Sequence, residues 1–309
     1  MQNTQAPLPV GSLPVVLCDQ LNAEAVIIDL AAHDPTSPNA ILWRWAACAE
    51  NGFEGLGYKH RIDDCKLRYS ERLGVYVACV TSSSGFMGIA EFPSGKKIWE
   101  AFAMGYGPHS IDYLPSGNVV VALSGNGHPD RCELRIYACD ESGVPTQEFY
   151  SLPYESAHGI VRDSDGKRVW ALSNTCLTAF AVGGTTKAPT LEPIDGTGVA
   201  IPPPGHDLSL SPADPNRFYI SSRSVYLFDR ASNTLAAEFD GSELIKAPAV
   251  KCIAEHTDGS LLRTAATGVY APHDTDRLDV FRKAADGRWT KATYVFEGRA
   301  FYKARPVIL

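Results

Sequence analysis

Three histidines head three similar segments of the chain: Gly107-Pro108-His109-Ser110-Ile111, Ser156-Ala157-His158-Gly159-Ile160 and Pro204-Gly205-His206-Asp207-Leu208. Imidazole titrates close to neutrality, so three of them brought together could supply a general base and its acid partner, or hold a divalent metal with one position left open. Cationic side chains stand at related places: Lys66, Lys251, Arg223 and Arg305, with Lys303 beside the last. A cation that neutralises a substrate carboxylate also acidifies the proton on the adjacent carbon, and a neutral imidazole can then remove it. The chemistry this set fits is β-elimination on a uronate-containing glycan, with His109, His158 and His206 as the catalytic candidates. A second reading uses the same three histidines as ligands of zinc, manganese or calcium, with Asp19 behind them. The favoured reading needs no cofactor. A third reading is a binding module for a glycan or a protein partner, without catalysis.

The segments around the histidines explain why they should converge. After His109 comes a strand-like run, the turn Pro115-Ser116-Gly117-Asn118, and the β-branched run Val119-Val120-Val121-Ala122-Leu123-Ser124. His158 leads through Asp165-Gly166 to Arg168–Ser173, and His206 through Asp214-Pro215-Asn216 to Arg217–Ser222. Weaker copies begin near Cys65 or Lys66 and near Lys251, so positions 65, 109, 158, 206 and 251 lie 44 to 49 residues apart. Several short strands repeating at that period predict propeller blades.

The prediction is an all-β chain, a single β-propeller over 14–309 behind a polar tail over 1–13, with six four-stranded blades. Seven blades would require two to have been merged. The first blade, from Pro14-Val15-Val16-Leu17-Cys18-Asp19 onwards, lacks an innermost strand. The leftover C-terminal run Phe301–Leu309 is expected to supply it and close the ring. Blades two to six are placed at 65–104, 109–152, 158–194, 206–240 and 251–296, with Glu50–Asp64 as a long loop.

In such a ring the starts of the innermost strands and the ends of the second strands share one mouth. The mouth set is then the three histidines, with Cys65 or Lys66, Lys251, and Lys303 or Arg305 at the equivalent places. Asp19, Gln20, Thr81, Ser82, Ser124, Asn126, Asn174, Ser222 and Arg223 complete it. Trp43, Trp45 and Tyr106 are candidates to stack on a sugar ring. His60 could also reach the mouth. His256 should lie at the opposite face, and His33, His128 and His273 on the surface. Asp63 and Asp64 should not act as a pair, because neighbouring side chains on an extended segment point apart.

The motifs PHSIDYLPSGNVVVAL, AHGIV, GHDLSL and VKCI, in that order, resemble those of an uncharacterised, mainly bacterial family of β-propeller proteins. The resemblance covers most of the chain after residue 60. At the level of architecture it is similar to propeller enzymes such as rhamnose–glucuronate lyase, oligogalacturonate lyase and peptidyl-amidoglycolate lyase. The likeness implies channel-mouth histidines acting as a base or as metal ligands.

Composition narrows the partners. The 309 residues are 45% apolar with 26 glycines and a net charge of −7, with acids and bases scattered. That argues against a nucleic-acid surface or a membrane patch. The cations expected at the mouth point to a small anionic sugar or oligosaccharide as ligand, bound by a monomer. No GxSxG elbow and no phosphate-cradling glycine loop is present. The eight cysteines contain no CxxC pair. Cys18 and Cys79 should be buried thiols, while Cys48 with Cys65, or Cys132 with Cys139, could be disulfides. The polar opening Met1–Pro7 fits a cytoplasmic start or a mature secreted chain carrying an added Met, with the secreted origin favoured.

Overall fold

The computed structural model describes residues 8–54 and 61–309. Six antiparallel sheets follow one another around an axis. From the axis outwards, blade one is Phe301–Pro306, Pro14–Asp19, Glu24–Asp29 and Ile41–Trp45. Blade two is Ile62–Ser70, Val75–Ser82, Phe86–Phe92 and Lys97–Phe102, and blade three Pro108–Tyr113, Val119–Ser124, Cys132–Cys139 and Pro145–Pro153. Blade four is Gly159–Arg162, Arg168–Leu172, Cys176–Thr185 and Ala188–Pro193, with the two-residue strand Val199–Ala200 added to its third strand. Blade five is Asp207–Leu210, Arg217–Ser221, Val225–Asp229 and Thr234–Ala236, and blade six Val250–Glu255, Leu261–Ala265, Arg277–Lys283 and Trp289–Val295. The expected six blades and the C-terminal closing strand are both present, and the seven-blade alternative is not. No described helix is long and apolar enough to cross a membrane.

The continuous apolar run of blade three shows how sequence sets the packing. Val119, Val121 and Leu123 point into the apolar cluster shared with blade two, while Val120 and Ala122 point into the one shared with blade four. A strand sandwiched between two neighbours has no solvent face, so strict alternation gives way to apolar residues throughout. Six such clusters, one between each pair of adjacent blades, form the core. The predicted turn is also there: Leu114 N–H bonds Asn118 O at 2.8 Å, and Gly117 has φ +93°. A Cβ at Gly117 would sit 2.8 Å from Gly143 Cα, so glycine is required for room as well as conformation.

All eight cysteines are free thiols, which corrects both suggested disulfides. Cys132 Sγ instead bonds Ser124 O at 3.1 Å, and Cys139 Sγ bonds Ser116 O at 3.2 Å. Cys18 and Cys79 are buried, as expected, and burial raises both thiols. The loop expected over 50–64 ends earlier, because strand pairing already starts at Ile62. His60 lies outside the described residues.

Candidate functional site

The innermost strands begin irregularly, and the irregularity builds the site. In blade three the ladder runs Pro108↔Leu123 and then Ser110↔Ala122, so His109 is the extra residue of a β-bulge. Blade two skips Asp63 and blade six skips Lys251 in the same way. His158 and His206 each precede the first paired residue of their strand, their N–H groups bonded to Leu172 O and Ser221 O. In blade one the shift falls opposite Cys18, which places Tyr302 at the corresponding position. A bulge re-aims a side chain away from the pleat. One residue per blade is therefore presented at the mouth: Tyr302, Asp63, His109, His158, His206 and Lys251.

Sequence reasoning located four of these six and missed Asp63 and Tyr302. The weak copies had been registered on Cys65 or Lys66 and on Lys303 or Arg305, one to three residues too far along. Cys65 instead belongs to the core between blades one and two. The argument that adjacent carboxylates diverge was sound: Asp64 faces the channel interior while Asp63 faces the mouth. It gave no reason to discard Asp63 alone.

The three imidazoles form a contiguous arc. His109 and His158 have ring centroids 4.5 Å apart, and His158 and His206 5.8 Å. Tyr302 meets His109 edge-on at 6.0 Å. His109 Nδ1 lies 2.8 Å from Gly107 O and His158 Nδ1 2.7 Å from Ser156 O. A carbonyl oxygen only accepts, so both Nδ1 atoms carry hydrogen and both Nε2 atoms keep a lone pair while the rings are neutral. At His206 the arrangement reverses. Lys251 Nζ is 2.9 Å from Nε2, which accepts, and the buried Nδ1 has no partner among the described residues.

Electrostatics keep the arc neutral. Burial pushes His109 down to about 4, with the Lys303 ammonium adding to the effect. Burial and the neighbouring His109 hold His158 well below its ordinary value. His206 is lowered to about 2 by burial and Lys251, and burial lowers Lys251 itself to about 8. Asp63 moves the other way, up to about 7, because its carboxyl is buried. Gln20 Nε2 donates to Asp63 Oδ1 at 2.7 Å, and the Ser83 N–H donates to Oδ2. Gln20, expected as a substrate-binding residue, is thus hydrogen-bonded to Asp63, a carboxyl outside the expected set.

Several other candidates have different work. Lys66 Nζ is buried against Asp64 at 2.8 Å, with Ser110 Oγ and Ile111 O also at 2.8 Å. Arg305 spans Asp64 at 3.0 Å and Asp207 at 2.8 Å. Lys303, fully buried, donates to His109 O at 3.0 Å and His158 O at 3.1 Å. These three cations plug the channel under the mouth, so their charges are committed to protein carboxylates and carbonyls. Asp19 is likewise occupied, accepting from Arg299 at 2.9 Å and from the N–H groups of Leu21, Asn22 and Ala300. Its role is to fasten the closing strand.

Asn126 Nδ2 donates to Ser83 O at 2.9 Å on the rim, and the Asn174 carbonyl accepts from Gly205 N–H at 2.9 Å. Thr81 and Ser82 are buried, and Ser124 Oγ bonds Gly107 O at 3.2 Å. Arg223 is exposed, and Ser222 beside it bonds Pro202 O. Trp43 lies in the outermost strand of blade one, its Nε1 2.9 Å from Pro93 O, and Trp45 is buried against Phe53. Neither is at the mouth, because a fourth strand runs along the periphery. The Arg135 guanidinium covers the Tyr106 ring at 4.5 Å, and Tyr106 packs against the core between blades two and three.

His256 is buried at the opposite face, its Nε2 3.1 Å from Pro14 O, as expected. His273 is exposed, as expected, yet it is close enough to His206 to help lower its pKa.

No family model matches the chain, and no curated protein matches it. Solved structures do. A functionally unknown protein from Desulfotomaculum acetoxidans DSM 771 matches with a TM-score of 0.55 at 14% identity, covering 96% of this chain and 99% of that one. A protein from Bacteroides fragilis NCTC 9343, provisionally named a 6-phosphogluconolactonase, matches with a TM-score of 0.55 at 13% identity, covering 97% and 99%. Likeness at that identity carries the propeller fold and nothing about chemistry.

Proposed function

We propose that the mouth is the active site of a carbohydrate-active lyase that performs β-elimination on a uronate-containing glycan. The observation that carries this reading is the pairing of neutral, backbone-pinned imidazoles at His109 and His158 with the Lys251 ammonium two places along the arc. Lys251, which bonds His206 Nε2 and pairs with no carboxylate among the described residues, takes the clamp role, with the exposed Arg223 as a second candidate. It neutralises the substrate carboxylate. His158 Nε2 then accepts the proton from the adjacent carbon, and that electron pair forms the carbon–carbon double bond as the glycosidic C–O bond breaks. Asp63, protonated below about 7, gives its proton to the leaving oxygen.

The metal reading fits less well. Imidazoles pinned through Nδ1 do suit a metal at Nε2, but His206 Nε2 is engaged by an ammonium, so the three nitrogens are not all available.

The test is ultraviolet detection of unsaturated uronate from glucuronate- and galacturonate-containing oligosaccharides, with and without chelator. Product that survives chelation supports elimination. Activity lost with chelator and restored by zinc or manganese would replace this reading with the metal one. Tight glycan binding without turnover would replace it with the binding module. Hydrolysis of 6-phosphogluconolactone, included because of the Bacteroides neighbour's name, would move the reaction class to lactone hydrolysis.

The pH profile is a separate prediction. The base, His158, works only while neutral, and burial and the neighbouring His109 hold it well below its ordinary value, so the acid limb of kcat/KM falls well below the 6.5 of a free imidazole. The acid and the clamp work only while protonated. Rising pH therefore cuts activity between about 7, set by Asp63, and about 8, set by Lys251. A profile whose acid limb falls at 6 to 7 would contradict the assignment of the arc as neutral.

A further inference from the structure

At the pole opposite the histidines the channel opens into a cavity of about 340 Å³, between the far ends of the innermost strands of blades one, two, four and five. At roughly 30 Å³ per water, that is room for about eleven waters, or a ligand of about ten heavy atoms. Its walls are apolar: Leu67, Val161, Leu208, Leu210, Pro212 and Ile308. Its charged groups are Arg68 and Arg162 at one side and the channel residues Lys66 and Arg305 at the inner end. A cavity of this size with apolar walls and a few convergent polar groups is the usual form of a small-molecule site.

The charge does not balance. Among the described residues, the channel and this cavity hold five cations, Lys66, Arg68, Arg162, Lys303 and Arg305, against the three carboxylates Asp64, Asp112 and Asp207. Asp63 at the far pole would not even the count if ionised. The surplus falls on Arg162. Arg68 grips Asp112 with two nitrogens, Nε at 2.8 Å and Nη2 at 3.0 Å. Arg162 Nη1 donates to the carbonyls of Asp163 and Ser164 at 3.2 and 3.1 Å, while its buried Nε, 3.7 Å from the Asp112 carboxylate and too far to bond, has no hydrogen-bond partner among the described residues. Burial, with Arg68 alongside, lowers the Arg162 guanidinium. Two guanidiniums sharing one carboxylate at the edge of an apolar cavity are a receptor for a second carboxylate.

We propose that this cavity is a second ligand site, separate from the mouth, for an amphiphilic monocarboxylate. The carboxylate pairs with Arg162 and the apolar body of about ten heavy atoms lies against Leu208 and Leu210. The site is independent of the reading given to the mouth, since none of the six mouth residues lines it.

Calorimetric titration of the full chain with octanoate, octan-1-ol and octylamine tests it. Octanoate is expected to bind one to one, with octanol at least ten-fold weaker and octylamine undetected. Arg162→Met should weaken octanoate at least ten-fold while leaving the fold intact, because Asp112 keeps Arg68. Leu210→Trp, which fills the cavity from a half-buried wall position and leaves every charge in place, should abolish binding. His158→Ala, at the other pole, should leave binding within two-fold. Absence of saturable octanoate binding would overturn the proposal. So would octanol binding as tightly as octanoate, or octanoate binding that both cavity variants leave within two-fold.

Discussion

Arg305→Met is expected to lower folding stability by at least about 3–5 kcal/mol, the usual cost of breaking a buried pair by removing one partner. A domain of ordinary stability has about 5–15 kcal/mol in all, so the loss removes a large fraction of the margin that keeps the ring folded. The size of the effect follows from what Arg305 touches. It is buried, on the closing strand of blade one, and its guanidinium donates to Asp64 of blade two and Asp207 of blade five. Lys66 would still pair with Asp64 at 2.8 Å and Lys303 would stand 3.2 Å from Asp207, but the hydrogen bonds of Lys303 go to the carbonyls of His109 and His158, and the fork that bridges the two carboxylates would be gone. Two desolvated carboxylates would then face each other with too few donors. Asp64 shows the strength of the present arrangement. Burial works to raise its pKa, yet Arg305, Lys66 and Lys303 together hold it well below the usual carboxylate range.

Deleting Ala304–Leu309 is the more drastic form of the same experiment, since it removes Arg305 and most of the pairing with Pro14–Asp19. Arg305→Lys, which keeps one charge and loses the fork, should fall between parent and methionine variant. Equilibrium urea unfolding reads all three. A methionine variant with the parent's midpoint would show that the channel ion pairs do not hold the ring.

The largest effect on activity is expected at His158. Its ring lies between those of His109 and His206, its Nδ1 is fixed by Ser156 O, and Lys303 holds its backbone carbonyl. Removing a positioned general base costs about 10²- to 10⁴-fold, so His158→Ala should lose that much kcat/KM on an oligouronate, mainly in kcat. Lys251→Met should act chiefly on KM, because a carboxylate clamp already works in the ground state. Circular dichroism and the unfolding midpoint should be unchanged in His158→Ala, since its side chain bonds only local groups. Activity within three-fold of parent would remove His158 from the reaction and leave His109 as the base. A Lys251→Met variant with unchanged KM would remove the clamp.

The ring was legible from sequence because a propeller writes its period plainly. The β-branched second strands, the turns and the recurrence near 45 residues all report the same geometry, and so does the unpaired C-terminal strand. The histidines were legible for the same reason, each opening a clear copy. Asp63 and Tyr302 were not, because a β-bulge has no composition of its own. It adds one residue without changing the apolar pattern, so counting along the strand carried the mouth position onto Cys65, Lys66, Lys303 or Arg305. Cations were also assigned outwards by type alone. Whether a lysine meets a substrate or a buried aspartate depends on partners 44 to 241 residues away, as for Lys66 with Ser110 and Arg305 with Asp64. The cavity at the other pole draws on residues from four blades; Val161 lies in AHGIV and Leu208 and Leu210 in GHDLSL, but neither motif shows that it faces the other.

The closing strand also imposes an order of events on synthesis. Pro14–Asp19 emerges from the ribosome early, but the strand that covers its inner edge, Phe301–Pro306, is made only after the other strands of all six blades. At about 5–20 residues per second, the intervening chain takes roughly 15 to 60 seconds to appear. Throughout that interval blade one offers the apolar edge of Val15, Val16 and Leu17 to whatever can pair with it. The nascent chain therefore carries an open sheet edge on blade one until Phe301–Pro306 arrives to cover it.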